Sequence, residues 1–181
     1  MQDFRGELWA EALRLRDLLK FEFFFADRER FRREISAEIA FHVPGWEDAV
    51  DHGPAGIQSV LRRVRPFTAH RVLLPFLEAY QVVGDALARE SGRVDEPAFL
   101  TRCMALAEQY RLQHRIRSAE SVSRVLFETA LRLAKNRNLL DPDAPDLGPR
   151  RAAFAADIRA AIRRAEAIDV LAASRRAGLI D

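Results

Sequence analysis

The chain has 181 residues, 49% hydrophobic and 31% charged, with a formal net charge of +2. That composition excludes a disordered chain and gives the length of one domain, or one domain and an appendage. Its one cysteine, Cys103, excludes an internal disulfide framework and any cysteine-based zinc site.

Charge is spread unevenly: −4 over residues 1–60, +6 over residues 61–140 and 0 over residues 141–181. The middle third is therefore the anion-facing part. Of 29 basic residues only Lys20 and Lys135 are lysines. The arginine bias suits bidentate contacts to carboxylate or phosphate, and genomic composition produces the same bias. No signal-peptide pattern precedes the first amphipathic stretch, and no uncharged apolar run reaches the ~18 residues of a membrane span. The expectation is a cytoplasmic protein, or one held at a membrane from the cytoplasmic side.

Leu8, Ala12, Leu15, Leu19 and Phe23 recur at helical spacing and predict an amphipathic helix from about Gly6 to Phe25. It ends in Lys20-Phe-Glu-Phe-Phe-Phe25, with aromatics on several faces at once. Asp27 is placed to cap a second helix through about Phe41, with Phe31, Ile35 and Ile39 inward. His42-Val-Pro-Gly-Trp46 breaks the pattern, and Asp51-His-Gly-Pro54 predicts a loop with Pro54 at the first position of a short helix to Val64.

The apolar stretch Pro66–Leu87 predicts the core helix, about residues 66–90. Arg71, Glu78 and Asp85 fall seven apart and form a thin polar seam, while nearly every other position is apolar. Glu78, Gln81 and Asp85 argue against a membrane span, since one acid at the bilayer centre costs about 2.5–3.5 kcal/mol. Pro75 is expected to kink the helix by removing its bond to the Arg71 carbonyl.

Asp95 opens the next helix, with Phe99, Leu100, Cys103, Met104, Leu106, Ala107 and Tyr110 inward to about Gln113. Its neighbours make Cys103 a buried thiol without special chemistry. Ser118 is read as the cap of a further helix fraying at Lys135–Asn138, and residues 141–148 as a linker. Pro149 is read as the start of a last alanine-rich helix to about Arg176, with Gly178 as its cap and Leu179-Ile180 packing back. The predicted fold is all-α, a helical bundle of about seven helices around a central buried one. Residues 1–140 form the bundle, and residues 149–181 pack on the same domain.

No spacing marks an active site. His42, His52, His70 and His114 pair with no metal-ligand set, and no Gly-rich phosphate loop is present. No cofactor or metal is expected. Arg62, Arg63, Arg65 and Arg71 cluster at one helix junction, read either as a solvated face or as a contact to phosphate or an acidic partner. Trp9, Phe21, Phe23, Phe24 and Phe25, flanked by Lys20 and Arg28, are read either as core and interdomain contact or as an interfacial membrane anchor. A helix–turn–helix outline runs from Glu96 to Arg137, but Glu120 and Glu128 on its second helix argue against nucleic acid.

Three blocks carry a likeness to a known family: Leu18–Phe25, Leu73–Tyr80 with Val82-Val83, and Phe127–Leu140. In order and over about residues 8–170, the chain resembles the C-terminal region of bacterial glycerol-3-phosphate acyltransferases, particularly actinobacterial members. The resemblance implies phospholipid synthesis at the cytoplasmic membrane face, with an acyl group passing from acyl-CoA or acyl carrier protein to the sn-1 hydroxyl of glycerol 3-phosphate. The family's catalytic domain uses a His-x4-Asp motif as general base and a Phe-x-Glu-Gly block to hold phosphate. Here the fifth residues after the four histidines are Glu47, Ile57, Pro75 and Ala119, and no Glu-Gly dipeptide occurs. The resemblance thus implies a C-terminal accessory domain whose partner is an N-terminal catalytic domain. It implies further contacts to an anionic membrane surface or acyl carrier protein, and no catalytic residue of its own. The other reading is a stand-alone interaction or membrane-surface module.

Overall fold

The computed structural model describes residues 3–64 and 68–178. Arg65, Pro66 and Phe67, and the expected back-packing of Leu179-Ile180, lie outside the described residues. Among these residues the fold is all-α: eight α-helices, one 3-10 turn and no strand. They fall into two units, Met1–Phe67 with Leu171–Asp181, and Thr68–Val170.

The first unit holds α1 (Phe4–Leu18), α2 (Arg28–His42), α3 (Trp46–Asp51) and α4 (Pro54–Arg63). The Asp3 and Asp27 carboxylates accept from the amides of Gly6 and Arg30 and so cap α1 and α2. The Arg30 amide also holds the Asp27 carboxyl below the usual range. Val43, Trp46, Val50 and Val60 form the core, with Phe4, Leu8, Trp9 and Ile39 packed against it.

Two expectations need correction here. The first helix ends at Leu18, not Phe25: Leu18 and Leu19 are both buried, and the amides of Glu22 and Phe23 both donate to the Leu19 carbonyl, closing a turn. Residues 46–51, which run from the expected break at His42–Trp46 to the loop expected from Asp51, form α3, a helix the sequence reading did not include, which lays Trp46 and Val50 into the core. Its backbone meets α4 so closely that a Cβ on Gly56 would lie 1.7 Å from the Ala49 carbonyl oxygen.

The second unit is built on α5 (Ala69–Leu87), with α6 (Glu96–Leu112), the 3-10 turn Ala119–Ser121, α7 (Arg124–Asn136) and α8 from Leu147 around it. Every residue from Leu77 to Leu87 is buried, whatever face it occupies. The first turns are more open, and Val72 is 64% exposed. Pro75 lies inside the helix. Gly84 lets α8 approach, since a Cβ there would stand 3.0 Å from Ile158 Cδ1 and 3.2 Å from Ala155 Cα. The helix expected to start at Ser118 starts at Arg124 instead; the Ser118 hydroxyl caps the 3-10 turn by accepting from the Glu120 amide.

Residues 141–146 make a turn inside this second unit, and α8 (Leu147–Arg176) starts two residues before Pro149. Its residues to Val170 belong to the second unit and those from Leu171 to the first. Gly178 beyond it takes a left-handed φ of 69°. Arg151 of α8 is only 1% exposed. Its Nε, Nη1 and Nη2 donate to the carbonyls of Leu139, Glu90 and Gly92 at 2.9, 2.9 and 3.0 Å. Burial lowers its pKa, opposed by the Glu90 charge. Cys103 is fully buried, and burial pushes its thiol up to about 12, so thiolate chemistry at neutral pH is closed to it.

Gly56→Ala, forcing a methyl against backbone, is expected to lower unfolding stability by about 1–3 kcal/mol. Gly148→Ala, whose Cβ meets nothing within 4 Å, should be neutral or stabilising by up to ~1 kcal/mol. Urea denaturation of the two variants checks the opposed signs.

Candidate functional site

Glu78, Gln81 and Asp85 are three and four residues apart, so they share one stripe of α5. All three are buried, at 2%, 9% and 6% exposure. A carboxylate taken out of water costs several kcal/mol unless paired and hydrogen-bonded, and the segment after α6 supplies the pairing. There His114 takes a left-handed φ of 56°. The amides of Arg115 and Ile116 turn back onto the Tyr110 carbonyl at 2.8 and 3.4 Å, and Ile116 enters the core.

The next two amides, of Arg117 and Ser118, donate to Glu78 Oε1 and Oε2 at 3.0 and 3.2 Å, and the Ser121 hydroxyl donates to Oε2. Asp85 accepts from the Tyr110 hydroxyl at 2.8 Å, from Arg115 Nη2 at 3.3 Å and from Arg159 Nη1. Arg115 also lies over the Tyr110 ring, 3.7 Å from its centroid. Burial, and then the bond to Asp85, raise the Tyr110 pKa.

Above this seam lies a pocket of about 250 Å³. Gln81 of α5 forms part of its wall, and His114, Arg115 and Arg117 enter from the turn. Arg159, Ile162, Arg163 and Glu166 complete it from one face of α8, at spacings of three, four and seven. Arg117 pairs with Glu166 at 3.0 Å. The pocket is a small, open concavity rich in guanidinium. It presents hydrogen-bond donors to an anion and holds no nucleophile–base pair. Among the described residues no group of three or more His, Cys, Asp or Glu could hold a metal ion.

The sequence had offered other residues. Arg62 and Arg63 stand exposed in the last turn of α4, where positive charge complements the helix dipole, and Arg65 lies outside the described residues. Arg71, in the second unit, donates Nε and Nη2 to Asp169 Oδ1 at 3.1 Å, sharing that oxygen with His70 Nε2 at 3.0 Å.

His70 with Asp169 is a histidine–carboxylate pair. At 8% exposure the ring is closed to a substrate hydroxyl, which must come within about 3 Å of a general base. Trp9 sits edge-on to Trp46, centroids 6.2 Å apart, against the first core. Phe25 meets Phe23 and Phe31 edge-to-face, with Arg16 over the Phe25 and Phe31 rings, and Lys20 lies over Phe21. Phe24 alone of the aromatic group is fully exposed, at 101%.

The sequence matches the family described as the glycerol-3-phosphate acyltransferase C-terminal region over residues 2–143. It is 43% identical over 160 residues, 87% of this chain, to proteins of Mycobacterium tuberculosis and Mycobacterium bovis named "Putative acyltransferase plsB1". The matched part is 26% of their length, so the chain spans about a quarter of these relatives. No solved structure matches.

The His70 and Arg71 bonds hold the Asp169 carboxyl below its usual pKa. A carboxyl depressed in the folded state contributes stability above its unfolded pKa, about 3.9, and loses it as pH falls through the folded value. Thermal unfolding from pH 6 to pH 2 should therefore decline in the acid limb. Asp169→Asn is expected to flatten that limb while lowering Tm at pH 6.

Proposed function

We propose that this chain, which belongs to the family of glycerol-3-phosphate acyltransferase C-terminal regions, is the helical accessory region of an enzyme that acylates glycerol 3-phosphate from acyl-CoA or acyl carrier protein, the first step of phospholipid synthesis. Its role is to brace a catalytic domain carrying the His-x4-Asp base, and the acid–base chemistry lies outside the chain.

One observation carries this reading: the charged groups inside the second unit are spent on holding the fold. Glu78 and Asp85 are fully engaged by amides, hydroxyls and guanidiniums. The single buried histidine with a carboxylate partner is closed to substrate. A general base needs a free nitrogen within reach of the hydroxyl it deprotonates, and the His70 ring is nearly buried with its Nε2 on Asp169.

The test is an acyl-transfer assay on the pure chain with radiolabelled sn-glycerol 3-phosphate and palmitoyl-CoA. No turnover above the protein-free rate is expected; turnover that disappears in His70→Gln would overturn the reading.

The exposed Phe24 favours a second role beside the first, seating this region on the cytoplasmic face of an anionic membrane. Lys20 and Arg28 flank it on a turn whose other rings are half-buried against one another and against Lys20, the arrangement of an interfacial aromatic with basic neighbours. Among the described residues no helix is long and apolar enough to cross a membrane, so the contact would be peripheral. Co-sedimentation with phosphatidylglycerol vesicles should weaken roughly tenfold in Phe24→Ala, the effect of losing ~1.5 kcal/mol of ring burial. Equal binding of both proteins would remove this role.

A further inference from the structure

We propose that the start of α5, Ala69–Leu74, is a strap that opens as a unit about Pro75, and that Asp169 of α8 is its latch. The inference does not rest on the acyl-transfer reading and is tested without it.

Two segments of different character make up α5. From Leu77 to Leu87 every residue is buried. From Ala69 to Leu74 only His70 is; Leu73 and Leu74 are half-buried, and Ala69, Arg71 and Val72 are exposed. Pro75 follows the open segment inside the helix. It has no N–H to give the Arg71 carbonyl and its ring crowds that carbonyl, so the backbone bonding is interrupted where the two segments meet.

The helix start is weak in its own right. Asp3, Asp27 and Asp95 cap α1, α2 and α6 with their carboxylates, but the Thr68 side chain makes no capping bond to α5. No acid stands in the first turn, and Arg71 puts a positive charge where the helix dipole is already positive. So short a stretch, uncapped and followed by a proline, does not hold a helix by itself.

The missing acid comes from α8. Asp169 Oδ1 accepts from His70 Nε2 at 3.0 Å and from Arg71 Nε and Nη2 at 3.1 Å. Its Oδ2 stands 4.0 Å from Arg117 Nη1. The carboxylate offsets the Arg71 charge and brings a negative charge to the first turn of α5. Thr68 and Val170 are the two ends of the second unit, so this contact joins those ends across 99 positions of chain. Opening the strap parts them and frees the His70 ring, while the buried segment of α5 keeps its bonds.

Native-state hydrogen exchange of the full chain at pH 7, read amide by amide by NMR, tests the proposal. Leu73, Leu74 and Phe76 should exchange about a hundredfold faster than Tyr80 to Leu87, with little dependence on urea below the unfolding transition. Asp169→Asn should quicken Leu73 and Leu74 about tenfold, the effect of one charge-assisted hydrogen bond. Pro75→Ala, which restores a donor, should slow them by about tenfold or more. Ile158→Val, which trims a buried side chain beside Gly84, should quicken Tyr80 to Leu87 several-fold and leave Leu73 and Leu74 as they were.

Exchange of Leu73 and Leu74 at the rate of the buried segment overturns the proposal. So does an equal rise in both segments in Ile158→Val, which would mean that α5 opens only with the whole unit. Unchanged rates in Asp169→Asn remove the latch, and unchanged rates in Pro75→Ala remove the hinge. Should Asp169→Asn fail to fold, the wild-type rates and the other two variants still decide.

Discussion

Glu78 and Asp85 lie on a helix segment buried on every side, from Leu77 to Leu87. Left unpaired there, each ionised carboxylate would cost several kcal/mol, a large share of the roughly 5–15 kcal/mol that holds a domain folded. The rest of the second unit is arranged to prevent that. The chain leaving α6 must reverse at His114 and return its amides to Glu78, because free main-chain N–H donors exist only where no helix has taken them. Asp85 draws in Tyr110, Arg115 and Arg159, so α6, the turn and α8 share one anchor. The 3-10 turn follows from the same demand, placing the Ser121 hydroxyl on Glu78. Such a seam adds little net stability over an apolar one; what it fixes is the position of one segment against another.

That requirement also explains the guanidiniums at the surface. Arg115 and Arg159 reach Asp85 from outside while 41% of each side chain stays in solvent. They carry their charge to the rim of the pocket while serving the core, and Arg117, paired with Glu166, stands beside them. The positive character of the pocket is thus partly a by-product of satisfying a buried acid. Arg163, exposed on α8 without a partner among the described residues, is the member that this explanation leaves over.

Much of the architecture could be read from the residues. The 3.6-residue rhythm gave an all-α fold, Asp27 and Asp95 announced helix starts at which their carboxylates do cap, and the apolar density of 72–87 marked a core helix. Errors arose where tertiary packing overrode local pattern. Phe23 kept the first helix's rhythm, yet the adjacent buried Leu18 and Leu19 require the chain to turn. Trp46–Asp51 is too short for periodicity to show. The pocket was only half legible. Glu78, Gln81 and Asp85 stood out as a polar seam, and Arg115 and Arg117 as basic residues after a helix. Nothing in a linear chain tied them to Arg159 and Arg163, which lie more than forty residues further on. The spacing Arg159, Ile162, Arg163, Glu166 on an alanine-rich helix was the available signal, a polar stripe on a face that alanines would otherwise leave blank.

Arg151 gives the arginine bias of this chain a different meaning at one position. Its three nitrogens meet three carbonyls that diverge from two separate loops, a task for a flat, forked cation and not for a single ammonium on a flexible stem. Where genomes drift toward lysine codons, solvated arginines elsewhere on the surface can follow at little cost. This codon is constrained by shape, so among relatives of differing base composition it should be one of the last to change.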